Sequence, residues 1–380
     1  MTQESISILT ANAVSLLQEM IAIPAYSSQE QERAAFLYTR LTARAAKRSP
    51  DITVERIGNN LLLYTGTFDN RRETVMLCSH IDTVKESAGY TFNPFLPFER
   101  DENIYGLGTN DDGASVVCQI ETFFALCARP ELTKRLPVNL ILVLGAEEEC
   151  SGKNGMDRML RYLSEKTIRS AGGGICTLTP HFAIVGEPTG MKAAVAERGL
   201  LVLDGAATGT SGHAARNEGI NALYKALDDI QKLRNFTFAK ISPLMGEVKL
   251  TVTQLNSGHA HNVIPDKAVF TVDIRPTEQY SNPEIWELLQ KEVESTLTPR
   301  NLTNRTSATP QGHRLLATIG KLGIESYVSP TTSDWMRLNI PAIKMGPGES
   351  ARSHQADEYI KKAELRAGIE GYLTFLRNLQ

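Results

Sequence analysis

The chain has no apolar stretch close to the ~20 residues a membrane-spanning helix requires, so no membrane helix is expected. It also lacks a basic excess: 40 Lys and Arg stand against 43 Asp and Glu, for a formal net charge of -3. A broad surface for nucleic acid or anionic lipid needs the opposite balance. Cysteine is scarce. Cys78, Cys118, Cys127, Cys150 and Cys176 form an odd, scattered set with no CxxC pair, so they are expected to be free thiols in a reducing compartment. The N-terminal "MTQESISILTANAVSLLQEM" lacks a basic region followed by an unbroken apolar one, so no signal peptide is expected and the expected location is cytoplasmic. The sequons at Asn235 and Asn301 then carry no expected glycan. Internal repeats and low-complexity segments are absent.

What is present is an ordinary globular composition, 42% hydrophobic and 22% charged. A chain of 380 residues exceeds what one core usually holds, so two domains are expected. Ile6, Leu9, Val14, Leu17 and Ile21 recur at helical spacing near the start. Four short apolar runs follow, "TVMLCS", "VNLILVLG", "FAIVG" and "PAIKMG". They do not alternate, which suits strands buried on both faces of a parallel sheet. "GASVVCQIETFFALCA" fits a crossover helix between two of them. The middle of the chain differs. "GLLVLDGAATGT", "GEVKLTVTQLNSG" and "DKAVFTVDIRPT" alternate apolar and polar, as strands with one solvated face do. "GINALYKALDDIQKL" and "NPEIWELLQKEVESTL" have helical patterns. The expected organisation is an α/β domain of residues 1–191 and 303–380, with a small α+β domain inserted at 192–302.

In open α/β sheets, ligands bind beyond the carboxyl ends of the strands. There the sequence places His80 and Asp82, then Asp111, the triplet Glu147, Glu148 and Glu149, then Glu187, and finally His354. Each has an ordinary explanation alone: a cap, a turn residue or a solvated helix start. Together, so many carboxylates on one edge would repel without a cation, and mixed His and carboxylate donors suit zinc or a similar divalent metal. The His80-x-Asp82 spacing fits a ligand whose second ring N–H is held by a carboxylate, so His80 is expected to bind metal and Asp82 to orient it.

The order HxDTV, GxGxxD, EEE, GEPT and GPG…H resembles the di-zinc amidohydrolase and exopeptidase family that includes acetylornithine deacetylase, succinyl-diaminopimelate desuccinylase and carboxypeptidase G. The resemblance spans nearly the whole chain. It implies a zinc-exopeptidase-like catalytic domain with a mainly parallel sheet, and an inserted ferredoxin-like lid or dimerisation domain. It also implies two divalent ions, zinc with cobalt as an alternative, about 3.5 Å apart. By the same resemblance, His80 and Glu187 would hold one ion, Glu149 and His354 the other, and Asp111 would bridge them; the adjacent Asp112 is the other candidate bridge. Glu148 would be the general base. Two departures stand out: Leu107 replaces the arginine of the family's GRG, and the usual lysine after the aspartate is missing from "GLGTNDDGAS". Glu147 stands where the family usually has aspartate.

The implied reaction is amide hydrolysis by a metal-activated water, with Glu148 moving the proton. His213 of "GTSGHAAR" matches a family histidine that reaches the site from the partner subunit, so a homodimer through the inserted domain is expected. Arg198, Asn262 and Arg275 match substrate-contacting positions, and an arginine fork suits a carboxylate. Thr332, Ser333 and Asp334 of "TTSDWMRL" would line the pocket, and Trp335 would narrow it or pack. The expected partner is an N-acyl amino acid or short peptide, with acetylornithine first. Succinylornithine, succinyl-diaminopimelate and dipeptides are the alternatives. A non-catalytic homologue would lack Glu148 or a ligand. A cysteine hydrolase would need Cys78 or Cys150 beside acidic groups that blunt a thiol.

Overall fold

The computed structural model describes residues 2–127, 133–216 and 218–379. They form two compact units, one of Met1–Val195, Thr309–Tyr327 and Ser333–Gln380, the other of Ala196–Ala308 and Val328–Thr332. For the insertion expected at 192–302, the second unit has the continuous stretch Ala196–Ala308, from inside the strand Ala193–Glu197 to the short strand Ser307–Ala308, and also takes in Val328–Thr332.

The first unit is organised by a sheet with spatial order Ile52–Ile57, Asn60–Thr65, Asn139–Gly145, Thr74–His80, Phe182–Val185, Ala342–Lys344, Ala193–Glu197. The four strands from Asn139–Gly145 to Ala342–Lys344 are parallel. The flanking pairs are antiparallel. The unalternating apolar run Val75–Cys78 has a direct cause, since every residue of the strand Thr74–His80 is buried. Val75 and Leu77 pack with residues of the helices Gln3–Ile21, Ala114–Cys127 and Lys362–Asn378. Met76 and Cys78 point the other way, into a core holding Met159 and Leu163 of the helix Met156–Glu165 together with Trp335. Fully burying such an aliphatic side chain contributes about 1.5–3 kcal/mol, and the strand gains this on both faces. The helix Ala114–Cys127 joins two parallel neighbours, as its pattern suggested. The antiparallel hairpin of Ile52–Ile57 and Asn60–Thr65 was not evident from the sequence. Its outer strand is only partly buried, and its two-residue Gly58-Asn59 turn, with Gly58 at φ 66°, is the clearest local signal for it.

The second unit carries a four-stranded antiparallel sheet ordered Lys249–Ser257, Lys267–Arg275, Leu201–Thr208, Thr296–Pro299. The helices Ala222–Asn235 and Asn282–Glu292 complete a βαββαβ order, the ferredoxin-like arrangement. Leu201, Leu203, Phe270, Val272, Ile285 and Leu289 share its core. The second helix is shorter than its sequence pattern suggested. It stops at Glu292, and Thr296–Pro299 becomes the edge strand beside Leu201–Thr208.

Candidate metal centre and active site

Parallel strands deliver their ends to one edge. His80 is the last residue of its strand, opposite Gly145, and Glu147, Glu148 and Glu149 follow that glycine. Glu187 follows Phe182–Val185, and the loop after Ala342–Lys344 leads to His354. Gly186 is needed where these ends crowd, because a Cβ there would fall 2.1 Å from Ser79 Oγ.

The close group is His80, Asp111 and Glu149, each offering a donor atom within 4.8 Å of the others. His80 Nε2 lies 3.2 Å from Asp111 Oδ1. Asp111 Oδ2 faces the other way, 3.8 Å from His354 Nε2, which is itself 3.0 Å from Glu149 Oε1. One carboxylate thus has an oxygen toward each histidine, the disposition a bridging ligand needs. Asp112 does not share it: its Oδ2 accepts the His80 main-chain N–H at 3.3 Å. Imidazole nitrogens with carboxylate oxygens are the donors that zinc and similar divalent ions take, so the residues present fit such ions.

The partners of Asp82 differ from the expected arrangement. His80 Nδ1 lies 3.0 Å from the Asp82 main-chain oxygen and 3.5 Å from Oδ1. The carboxylate oxygens instead accept the N–H groups of Glu148 and Glu149, both at 3.1 Å, and the Ser27 hydroxyl at 2.7 Å. Asp82 therefore fixes the turn that carries Glu148 and Glu149 as well as facing the His80 ring. Glu147, at φ 57°, turns its carboxylate to the backbone and side-chain N–H groups of Asn154 and stands outside the group.

The Asp111 loop depends on Gly108, whose φ of 80° suits glycine and whose Cβ would fall 2.6 Å from Thr83 Cγ2. Leu107 is buried, so an apolar side chain occupies the place of the family's arginine. Sequence reasoning missed Glu358. It is buried, and its carboxylate accepts the N–H groups of Gly108 at 2.8 Å, Asn110 at 2.7 Å and Asp111 at 2.9 Å. Its position four residues after His354 was the available signal. Also missed was Arg33, buried and donating to the carbonyls of Ile23 and Ile81.

Crowded carboxylates shape the electrostatics. Burial first, then the charges of Glu187, Asp334 and Glu149, push Glu148 well above the usual carboxylate range, although His80 pulls it down. Burial likewise raises Glu187, helped by Asp111 and Asp112 and opposed by Lys344. Burial works against the His80 cation, yet Asp111 and Asp82 outweigh it and hold the imidazole well above its ordinary value. The Glu149 hydrogen bond raises His354 to about 8 against the effect of burial. Below that pH a proton occupies His354 where a cation would bind, so divalent-ion affinity should rise with pH up to about 8 and loading at pH 7 should release protons. Calorimetry in buffers of different ionisation enthalpy measures that release; none at pH 7 would refute the assignment of His354 as a ligand.

The substrate candidates of the second unit have protein partners. Arg198 is buried and donates to the carbonyls of Glu247 at 2.7 Å, Arg275 at 3.4 Å and Met245. Arg275 forms a two-point pair with Asp273, at 2.8 and 3.1 Å. His213 is exposed in the two-residue strand Gly212–His213, which pairs with Val263–Ile264, and the Asn262 carbonyl accepts the Ala214 N–H at 3.1 Å. His213 and Asn262 are therefore neighbours. Thr332 is half-buried. Ser333 is fully buried and its hydroxyl caps the turn Asp334–Arg337 by accepting the Trp335 N–H at 3.3 Å. Trp335 packs in the core beside Met76 and Cys78. All five cysteines are free, and burial with neighbouring acids pushes Cys78 well up and Cys150 up, against a thiolate nucleophile. No helix among the described residues is long and apolar enough to cross a membrane.

Known proteins resemble this chain over most of its length. The chain is 27% identical to an acetylornithine deacetylase of Salmonella paratyphi B, covering 92% of each chain. It is 28% identical to the acetylornithine deacetylase of Proteus mirabilis, covering 76% of this chain and 75% of that one. Among solved structures it resembles an M20 family metallo-carboxypeptidase from Sulfolobus solfataricus, with TM-score 0.72, 15% identity and coverage of 97% and 99%. It also resembles the dipeptidase Dug1p of Saccharomyces cerevisiae, with TM-score 0.70, 14% identity and coverage of 99% and 97%. A sequence profile of peptidase family M20/M25/M40 matches residues 76–378, from the strand that ends in His80 to the last helix. The chain belongs to peptidase family M20/M25/M40 and is a hydrolase of amide bonds.

Proposed function

We propose that the protein removes the acyl group from an N-acyl amino acid, with N-acetylornithine the first candidate, using two divalent ions held by His80, Asp111, Glu149, Glu187 and His354. The observation that carries this reading is the Asp111 carboxylate, one oxygen toward His80 and the other toward His354 and Glu149. The deacetylase relatives support the substrate. The dinuclear metal binding named for a Bacillus subtilis M20 peptidase, structurally similar at TM-score 0.68, supports the ion count. When bound, such ions lower the pKa of a water toward ~7 and polarise the scissile carbonyl.

The remaining work belongs to the chain. Glu148 accepts the proton of the attacking water at its carboxylate and delivers it to the leaving nitrogen, a role suited to a carboxyl held above the usual carboxylate range by burial. Asp82 holds that residue's main chain in place. Arg275 binds the substrate carboxylate by exchanging it for Asp273. A panel of acetylornithine, succinylornithine, succinyl-diaminopimelate and dipeptides, with added Zn2+ or Co2+, tests the reading. The highest kcat/KM should fall on acetylornithine. A preference for dipeptides, as in the similar Dug1p, would replace the deacylase with a peptidase.

The second unit supplies His213 as an oxyanion donor, acting from the partner subunit of a homodimer. Its exposure and the family resemblance support this role. A His213→Ala chain mixed with a Glu148→Ala chain should recover part of the activity that each lacks. No recovery after demonstrated subunit exchange would contradict action in trans.

A further inference from the structure

The segment that carries His354 also grips the loop that carries Asp111. Three contacts make the grip. The Asn110 side chain donates to the Glu349 carbonyl at 3.1 Å and accepts the Glu349 N–H at 3.0 Å. Glu358 accepts three successive-loop N–H groups, with Oε2 on Gly108 and Oε1 on both Asn110 and Asp111. Beyond Glu358, Tyr359–Lys361 pairs antiparallel with Asn103–Tyr105, the strand that leads into the same loop. His354 sits between the first two contacts, at φ 60°, a left-handed conformation that a non-glycine residue holds only when its surroundings enforce it.

We propose that Glu358 is a positioning residue for the metal pair: its carboxylate sets the loop from which Asp111 faces both His80 and His354. This rests on the two-metal reading above. The chemistry is specific to a carboxylate. Three main-chain donors converge on the two oxygens of one carboxyl group, and these hydrogen bonds fix the Asp111 backbone directly. An amide has the same shape but turns two N–H donors toward that cluster. At least one of Gly108, Asn110 or Asp111 then loses its acceptor and meets a donor. The loop must shift, and Asp111 loses its simultaneous reach toward both histidines.

The test is divalent-ion binding by the full chain carrying Glu358→Gln, with Co2+ as the probe. Wild type should take up two Co2+ ions. The variant should keep its fold by circular dichroism, bind Co2+ about 10–100-fold more weakly, and show an altered visible Co2+ absorption. kcat should fall with KM little changed. Glu358→Asp keeps both acceptor oxygens on a shorter arm, so it should retain more affinity than Glu358→Gln, and it carries the test if the amide does not fold. Wild-type Co2+ affinity and absorption in a folded variant would overturn the proposal. So would failure of both variants to fold, since Glu358 would then serve the fold alone. If wild type itself fails to bind two ions, the two-metal reading falls instead.

Discussion

Glu148→Ala is expected to lower kcat by about 100- to 10,000-fold, the range that a positioned general acid–base contributes, with the fold and bound divalent ions retained. Glu148 is the acid of the triplet whose carboxyl is pushed well above its ordinary range by burial and three neighbouring carboxylates, while Glu149 is the one 3.0 Å from His354. On the proposed reading, adjacent residues would divide the work, Glu148 moving a proton and Glu149 holding a cation. Steady-state kinetics with metal analysis of the same sample separates the two. Retained turnover would refute the base assignment, and loss of metal would mean that Glu148 is a ligand.

The second large effect distinguishes two neighbouring aspartates. Asp111→Asn should weaken divalent-ion binding by more than the about 10–100-fold that follows loss of a ligand's hydrogen-bond partner, because Asp111 faces both histidines. Asp112→Asn should leave the ions bound, since an asparagine oxygen can still accept the His80 main-chain N–H. The His80 imidazole also distinguishes them: burial raises Asp111, yet His80 overcomes this and holds it below the usual range, whereas burial pushes Asp112 up to about 7. Isothermal titration of both variants with Zn2+ measures the contrast. Loss of binding in Asp112→Asn alone would shift the bridge by one residue.

Much of this was legible in the amino acids. A strand that runs apolar from Val75 to Cys78 without alternating and then ends in His80 is expected to be buried on both faces, and parallel neighbours must bring their polar ends to the same side. That argument located His80, the glutamate triplet, Glu187 and His354 at one edge. It could not assign the carboxylates, because the choice between Asp111 and Asp112 depends on the backbone path after Gly108, which residue spacing does not reveal. Glu358 escaped notice because its role lies wholly in main-chain N–H groups some 250 residues earlier in the chain. The arginines show the opposite limit. The resemblance offered Arg198 and Arg275 as substrate forks, but the sequence does not reveal that Arg198 donates to carbonyls or that Arg275 pairs with Asp273, the partner a substrate carboxylate would displace. The two-strand edge hairpin was hidden by its half-solvated outer strand.

The central claim is that the Asp111 carboxylate joins two ion sites. An anomalous difference map from zinc-loaded crystals, collected at the zinc edge, tests it most directly. The expected map has two peaks, one within ~2.0–2.2 Å of donor atoms of His80, Glu187 and Asp111, the other at that distance from Asp111, Glu149 and His354. A single peak, or two peaks that leave Asp111 uncoordinated, would contradict the account.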